Sequence, residues 1–280
     1  MAQTLEERLA FCSWSVQPAS VDELIAKAEQ IGIKRVQLAM DPLREHGGPG
    51  GTWADAKRRF ADAGISFAGA MFTTVGEDYT TIESIHRTGG IVPDGTWPAT
   101  WANFQKMMPM VADLGIGYVA FHAGFIPEAG DPVFSKVAQR LQQVADLAAQ
   151  HNITVGLETG QEAAATLKAF LETAGRPNLG INFDPANMIL YGSGDPIAAL
   201  KLLIPHVKQV HIKDANASAN PGKDWGEEVV TGTGQVDWKA FFQVLNENNY
   251  TGYLSIEREA GNQRVEDIRT AKEFLLKNFA

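Results

Sequence analysis

Apolar and polar positions alternate along this chain with two distinct periods. Short apolar runs read as strands at Phe11–Ser15, Val36–Met40, Ser66–Phe72, Tyr118–Ala123, Thr154–Thr159, Leu179–Asp184, Val207–Lys213 and Tyr253–Glu257. Longer segments between them carry helical spacing, at Val21–Ile31, Trp53–Ala63, Trp101–Leu114, Pro132–Gln150, Ala163–Thr173, Pro196–Leu203, Trp238–Asn246 and Val265–Phe279. The first helix opens on Asp22 and Glu23 and stops at Gly32, while Gly64 stops the second. Residues 73–99 and 214–235 fit neither period, and loops that long inside a domain usually serve function.

Eight strand-plus-helix units run through the 280 residues with no break in composition. Strict alternation predicts an α/β protein with a parallel sheet. Eight units in this length predict a closed (β/α)8 TIM barrel, a single domain over residues 1–280. An open, doubly wound sheet would need a glycine-rich turn after the first strand. The segment there is Val16-Gln17-Pro18-Ala19-Ser20, without glycine.

Strand parity then sorts the polar residues. Val155 and Leu157 lie on one face of their strand, Gly156 and Glu158 on the other. In the same way Ile181 and Phe183 oppose Asn182 and Asp184, Val210 and Ile212 oppose His211, and Leu254 and Ile256 oppose Glu257. His122 takes the corresponding place after Val119 and Phe121. The ionisable group always falls near the C-terminal end of its strand, where barrel active sites lie. Four consecutive strands thus aim Glu158, Asp184, His211 and Glu257 at one axial point.

Three carboxylates cannot meet in a barrel mouth uncompensated, and a divalent cation is the simple remedy. The expected cofactor is one divalent ion, Mn²⁺ first, with Mg²⁺, Co²⁺ or Zn²⁺ as alternatives. Around it, His122, Asn187, Lys213 and Trp14 are the expected substrate-binding residues, with Trp14 and Phe72 as an apolar wall. His46, in the loop after the second strand, is a candidate lid residue, and Lys223 or Trp225 could cover the site from the 214–235 loop. His86 and Arg87 fall in the 73–99 loop. His151 and His206 read as structural, and Arg264 is a weak candidate for meeting an anion.

Charge narrows the partners. With 24 basic and 33 acidic residues the formal net charge is −9, which repels nucleic acid and anionic lipid. Cys12 is the single cysteine, so no intrachain disulfide forms. No apolar run is long enough for a membrane span, and the N-terminal MAQTLEERLAF is not a signal peptide. The expectation is a cytoplasmic protein with a small-molecule substrate, no nucleic acid and no membrane; a homo-oligomer is left open.

The stretches GLETG (156–160), NFDPANM (182–188), VHIKD (210–214), GTGQVDW (232–238) and YLSIERE (253–259), with FHAG (121–124), resemble the xylose isomerase-like TIM-barrel superfamily of sugar (phosphate) isomerases and epimerases. The resemblance implies metal ligation by Glu158, Asp184, His211 and Glu257. It also implies acid and base roles for Glu158 and Glu257, with proton transfer through a metal-stabilised enediolate. Two departures leave the substrate open. Asn187 stands where epimerases often have histidine, and Lys213-Asp214-Ala215-Asn216 lacks their arginine. The three-zinc endonucleases of this fold need further histidines, and Asn187, Ala70 and Met71 supply none. The alternative functions are a metal-dependent lyase of inosose or dehydroshikimate type, a keto-sugar deglycosidase, and a non-catalytic sugar-binding protein.

Overall fold

A computed structural model describes residues 3–43 and 52–280, so His46 lies outside the described residues. After α1 (Leu5–Arg8) the chain enters β1 (Leu9–Cys12), then α2 (Val21–Ile31), β2 (Arg35–Ala39), α3 (Trp53–Asp62) and β3 (Ser66–Met71). Two helices follow, α4 (Ile82–Thr88) and α5 (Trp97–Asp113), before β4 (Tyr118–Phe121), α6 (Pro132–Ala149), β5 (Thr154–Glu158) and α7 (Ala164–Ala174). Next come β6 (Leu179–Phe183), α8 (Pro185–Tyr191), α9 (Pro196–Leu203) and β7 (Val207–Ile212). A hairpin of β8 (Asp214–Asn216) and β9 (Glu227–Val229) leads to α10 (Trp238–Glu247), β10 (Leu254–Ile256) and α11 (Arg264–Phe279).

Eight of these strands close a parallel barrel in the order β1-β10-β7-β6-β5-β4-β3-β2. Closure rests on β1, which pairs in parallel with β2 and with β10, at Phe11↔Val36 and Phe11↔Ile256. The single-domain TIM barrel read from the alternation is the observed architecture. Side-chain caps start its helices: Ser20 accepts from the Glu23 amide at α2, and Asp131, Asp184, Asp195 and Asp237 cap α6, α8, α9 and α10.

The two faces of the sheet differ sharply. Phe11, Leu38, Val119, Leu157, Ile181, Val210 and Ile256 join one apolar cluster with helix residues such as Leu141, Phe170, Leu200 and Phe241. Burying a side chain of that size is worth ~1.5–3 kcal/mol, so this layer dominates the stability. The other parity fills the lumen with polar groups. Gln37, Asn182, Gln209 and Ser255 are all buried, and Gln209 Nε2 donates to both Gln37 Oε1 and Ser255 Oγ at 2.6 Å. Tyr118 occupies the space left by two glycines, since a Cβ on Gly156 would overlap its hydroxyl and one on Gly69 would stand 2.6 Å from its ring.

Three local features differ from the alternation pattern. β1 ends at Cys12, and Ser13–Val16 forms a 3-10 turn, because Ser13 Oγ accepts from the Ala39 amide and pulls the chain across the strand end. The 73–99 segment holds α4, capped by Thr81, and α5 starts at Trp97 with Pro98 in its first turn. The 214–235 segment contains the β8/β9 hairpin. That hairpin is anchored by buried Asp214, which accepts from the amides of Ala215, Gly232, Gly234 and Val236 and from Trp238 Nε1.

Candidate metal centre

Glu158 ends β5, Asp184 follows β6, His211 lies in β7 and Glu257 follows β10. Each offers one donor atom, and these atoms all lie within 4.8 Å of one another. His211 sits in the middle, its Nδ1 3.0 Å from Glu158 Oε1, 3.3 Å from Glu257 Oε2 and 3.6 Å from Asp184 Oδ2. All four side chains are buried. The structure thus brings together the four residues that strand parity aimed at one point.

The far side of the imidazole is fixed. His211 Nε2 stands 2.8 Å from Gln37 Oε1, an acceptor, and 3.0 Å from Asn182 Nδ2, while Nδ1 faces the carboxylates; a hydrogen on Nε2 satisfies the Gln37 oxygen. A neighbour that locks one ring nitrogen is the usual partner of a metal-bound histidine. Gln37 obeys the same parity rule as the ligands, flanked by outward-facing Val36 and Leu38, and a polar residue mid-strand was the signal that could have found it.

Two of the three carboxylates keep one oxygen without a hydrogen bond. Asp184 Oδ1 caps α8 by accepting from the Ala186 and Asn187 amides, which leaves Oδ2 turned to the centre without a partner. Glu158 Oε1 accepts from Asn187 Nδ2 at 3.1 Å, while Oε2 has no hydrogen bond and lies 3.4 Å from His122 Nε2. Glu257 is gripped at both oxygens, by Trp14 Nε1 at 2.6 Å and Lys213 Nζ at 3.0 Å. Two orphaned, buried carboxylate oxygens beside an imidazole nitrogen fit a divalent cation, because such oxygens are costly to leave unpaired.

Charge is tightly coupled here. Burial alone would hold His211 neutral, but Cys12, Glu257, Glu158 and Asp184 together outweigh it and raise its pKa well above the usual imidazole range. Burial likewise works against a charged Lys213, yet Glu257 and Glu259 keep the ammonium protonated. For Glu257 burial pushes upward, and Lys213 and His211 more than reverse it, holding the carboxyl below its ordinary value.

A cavity of about 710 Å³ opens over the centre. Its lining includes the expected Trp14, Phe72, His122, Asn187, Lys213 and Trp225. Lys213 bonds Asn187 Oδ1 as well as Glu257, and Trp225 packs edge-on against Tyr191. Lys223 is exposed and does not line the cavity. His86 is on α4, tilted against Phe125, and Arg264 opens α11 in a separate cleft, with its guanidinium on the Gly261 and Ser15 carbonyls. Glu77, Tyr79, Glu228 and Glu259 also reach the cavity. The alternation pattern did not point to these four; Glu259 alone was visible, two places beyond Glu257 and of the same parity.

A polar, four-donor centre at the C-terminal mouth of a closed parallel barrel defines the class of protein. The chain belongs to the xylose isomerase-like TIM barrel family, whose model matches residues 25–278. It is 34% identical to a xylose isomerase domain protein from Planctomyces limnophilus, over 96% of this chain and 95% of that one, with a TM-score of 0.85. The L-ribulose 3-epimerase structure is similar in fold, with a TM-score of 0.73 at 18% identity, covering 99% of this chain and 94% of that one. Among curated proteins, inosose dehydratase of Clostridium tetani is 26% identical over 160 residues, 50% of this chain. The match spans about half of that relative's length, 53%. Among the described residues no helix is long and apolar enough to cross a membrane.

Proposed function

We propose that the chain is a divalent-metal-dependent isomerase or epimerase of a sugar or polyol-like keto substrate, acting by proton transfer at the carbon beside a carbonyl. The observation that carries this is the meeting of four donors, two of them glutamates that line an aromatic-walled cavity. A divalent ion, Mn²⁺ by preference, held by Glu158, Asp184, His211 and Glu257 would supply a Lewis acid that makes the neighbouring C–H acidic.

The protein's own groups divide the remaining work. Glu158, which lines the cavity with His122 beside it, is placed to take the proton. Glu257 approaches from β10, which β7 and β6 separate from β5 in the barrel order. Its Oε2 is held by the Lys213 ammonium, and Glu257 would return a proton to the substrate from the other side, with exchange to solvent resetting the two glutamates. His122, beside Glu158 Oε2, orients a substrate hydroxyl. Asn187 ties Glu158 to Lys213 and so sets the spacing of the two halves. Because Lys213 is held protonated, its amine is not free to attack a carbonyl, which argues against Schiff-base chemistry.

Dehydration is the second reading, favoured by the similarity to inosose dehydratase. It begins with the same proton abstraction, after which a β-hydroxyl leaves as water. Both are tested by incubating ketoses and inososes with the Mn²⁺-loaded protein in D2O. Solvent deuterium at carbon is expected, and proton NMR of the products separates an isomer from a dehydrated ketone. Near-normal turnover in metal-loaded Glu158→Gln and Glu257→Gln variants would contradict the assignment.

A further inference from the structure

The cavity over the centre is more acidic than basic. Glu77, Glu158, Glu257 and Glu259 line it, with Glu228 paired to Arg258, against a single lysine, Lys213, and no arginine among the described residues. That lysine is already occupied, with Nζ 2.6 Å from Glu259 Oε2 and 3.0 Å from Glu257 Oε2. Arg258, next to Glu257 in the chain, is turned onto Glu228 and Asp267. A divalent ion would balance only part of this acidity, so an incoming phosphate or carboxylate meets like charge. The rest of the wall suits hydroxyl groups instead. Carboxylates accept from several hydroxyls at once, and the Trp14, Phe72, Tyr79 and Trp225 rings can cover C–H faces.

Resting on the enzymatic reading above, we infer that the substrate is an uncharged polyhydroxy carbonyl compound. We assign Glu259 as the residue that enforces this, by occupying the one ammonium that could hold an anion. Glu259 is suited to such a gate. Its side chain is 50% exposed, against 3% for Glu257, so it packs at the rim rather than in the metal set. It is also held in place, its amide donating to Glu228 Oε1 at 2.9 Å.

The test uses inorganic phosphate as the anion probe on the Mg²⁺-loaded full chain, followed by calorimetric titration. Wild type should bind phosphate at least tenfold more weakly than Glu259→Gln, and adding Lys213→Met to that variant should abolish the gain. Glu259→Ser is the second variant, since this rim side chain carries little packing. Equal phosphate affinity in wild type and both variants overturns the inference. So does a gain that survives Lys213→Met. In parallel, deuterium exchange is screened on D-fructose and D-fructose 6-phosphate. Exchange confined to the phosphate ester overturns the specificity while leaving the proton-transfer chemistry standing. Absence of exchange bears on that chemistry alone, because the phosphate titration reads the gate independently.

Discussion

Gln37 Oε1 and His211 Nε2 stand 2.8 Å apart across the barrel lumen, and this contact decides which imidazole nitrogen faces the three carboxylates. Gln209 Nε2 donates to the same Gln37 oxygen at 2.6 Å, which fixes that oxygen in place behind the ring.

Replacing Gln37 with leucine should therefore weaken Mn²⁺ binding by about 10–100-fold, the usual cost of losing a partner behind a metal-bound histidine. Titration calorimetry reads the affinity, and nitrogen NMR of the imidazole reads the tautomer. Unchanged affinity with an unchanged tautomer would show that Gln37 plays no part in positioning His211.

Glu162, in the turn after β5, is buried, and burial pushes its carboxyl up to about 8. The folded chain therefore keeps a proton there that the unfolded chain releases near pH 4.5. Stability from this group is complete below that pH and is lost as pH rises to about 8. The loss is on the order of a few kcal/mol. Glu162→Gln should flatten this part of the stability curve, and urea melts from pH 5 to 9 compare the slopes. Parallel curves for the two proteins would contradict the burial argument.

Asp214 accepts from four backbone amides and one indole, the cage that seats the loop carrying Trp225 and Glu228 over the cavity. Asp214→Asn sets an amide against those donors and should cost about 2–5 kcal/mol in urea denaturation. Hydrogen exchange should quicken over residues 214–236 while β5 and β6 stay protected.

Gly156→Ala should destabilise the fold by about 1–3 kcal/mol, the usual cost of overpacking. The added methyl meets the Tyr118 hydroxyl, so Tyr118→Phe in the same background should recover part of the loss. No recovery would mean that the backbone, not the tyrosine, sets the requirement for glycine.

Much of the site was legible because a barrel strand has a period of two. Once the strands were placed, parity put Glu158, Asp184, His211 and Glu257 on one side and Val155, Ile181, Val210 and Ile256 on the other. The short helix α8 had a local signature too, Asp184 as cap and Pro185 in the first turn, although the alternation pattern ran past it. Glu77 and Tyr79 were not legible, because their place depends on a loop path rather than a repeat. That path is set by contacts distant in sequence, such as Thr100 Oγ1 accepting from the Val75 amide and Asp41 from the Thr73 amide. Trp14 was expected on the cavity wall, but its bond to Glu257 follows from β1 ending early at Cys12.

One cation shared by Glu158, Asp184, His211 and Glu257 is tested directly by anomalous diffraction from a crystal grown with Mn²⁺. A single strong peak is expected within about 2.0–2.5 Å of one donor atom from each residue, with His211 bound through Nδ1. A peak held by other side chains, or His211 turned to bind through Nε2, would contradict it.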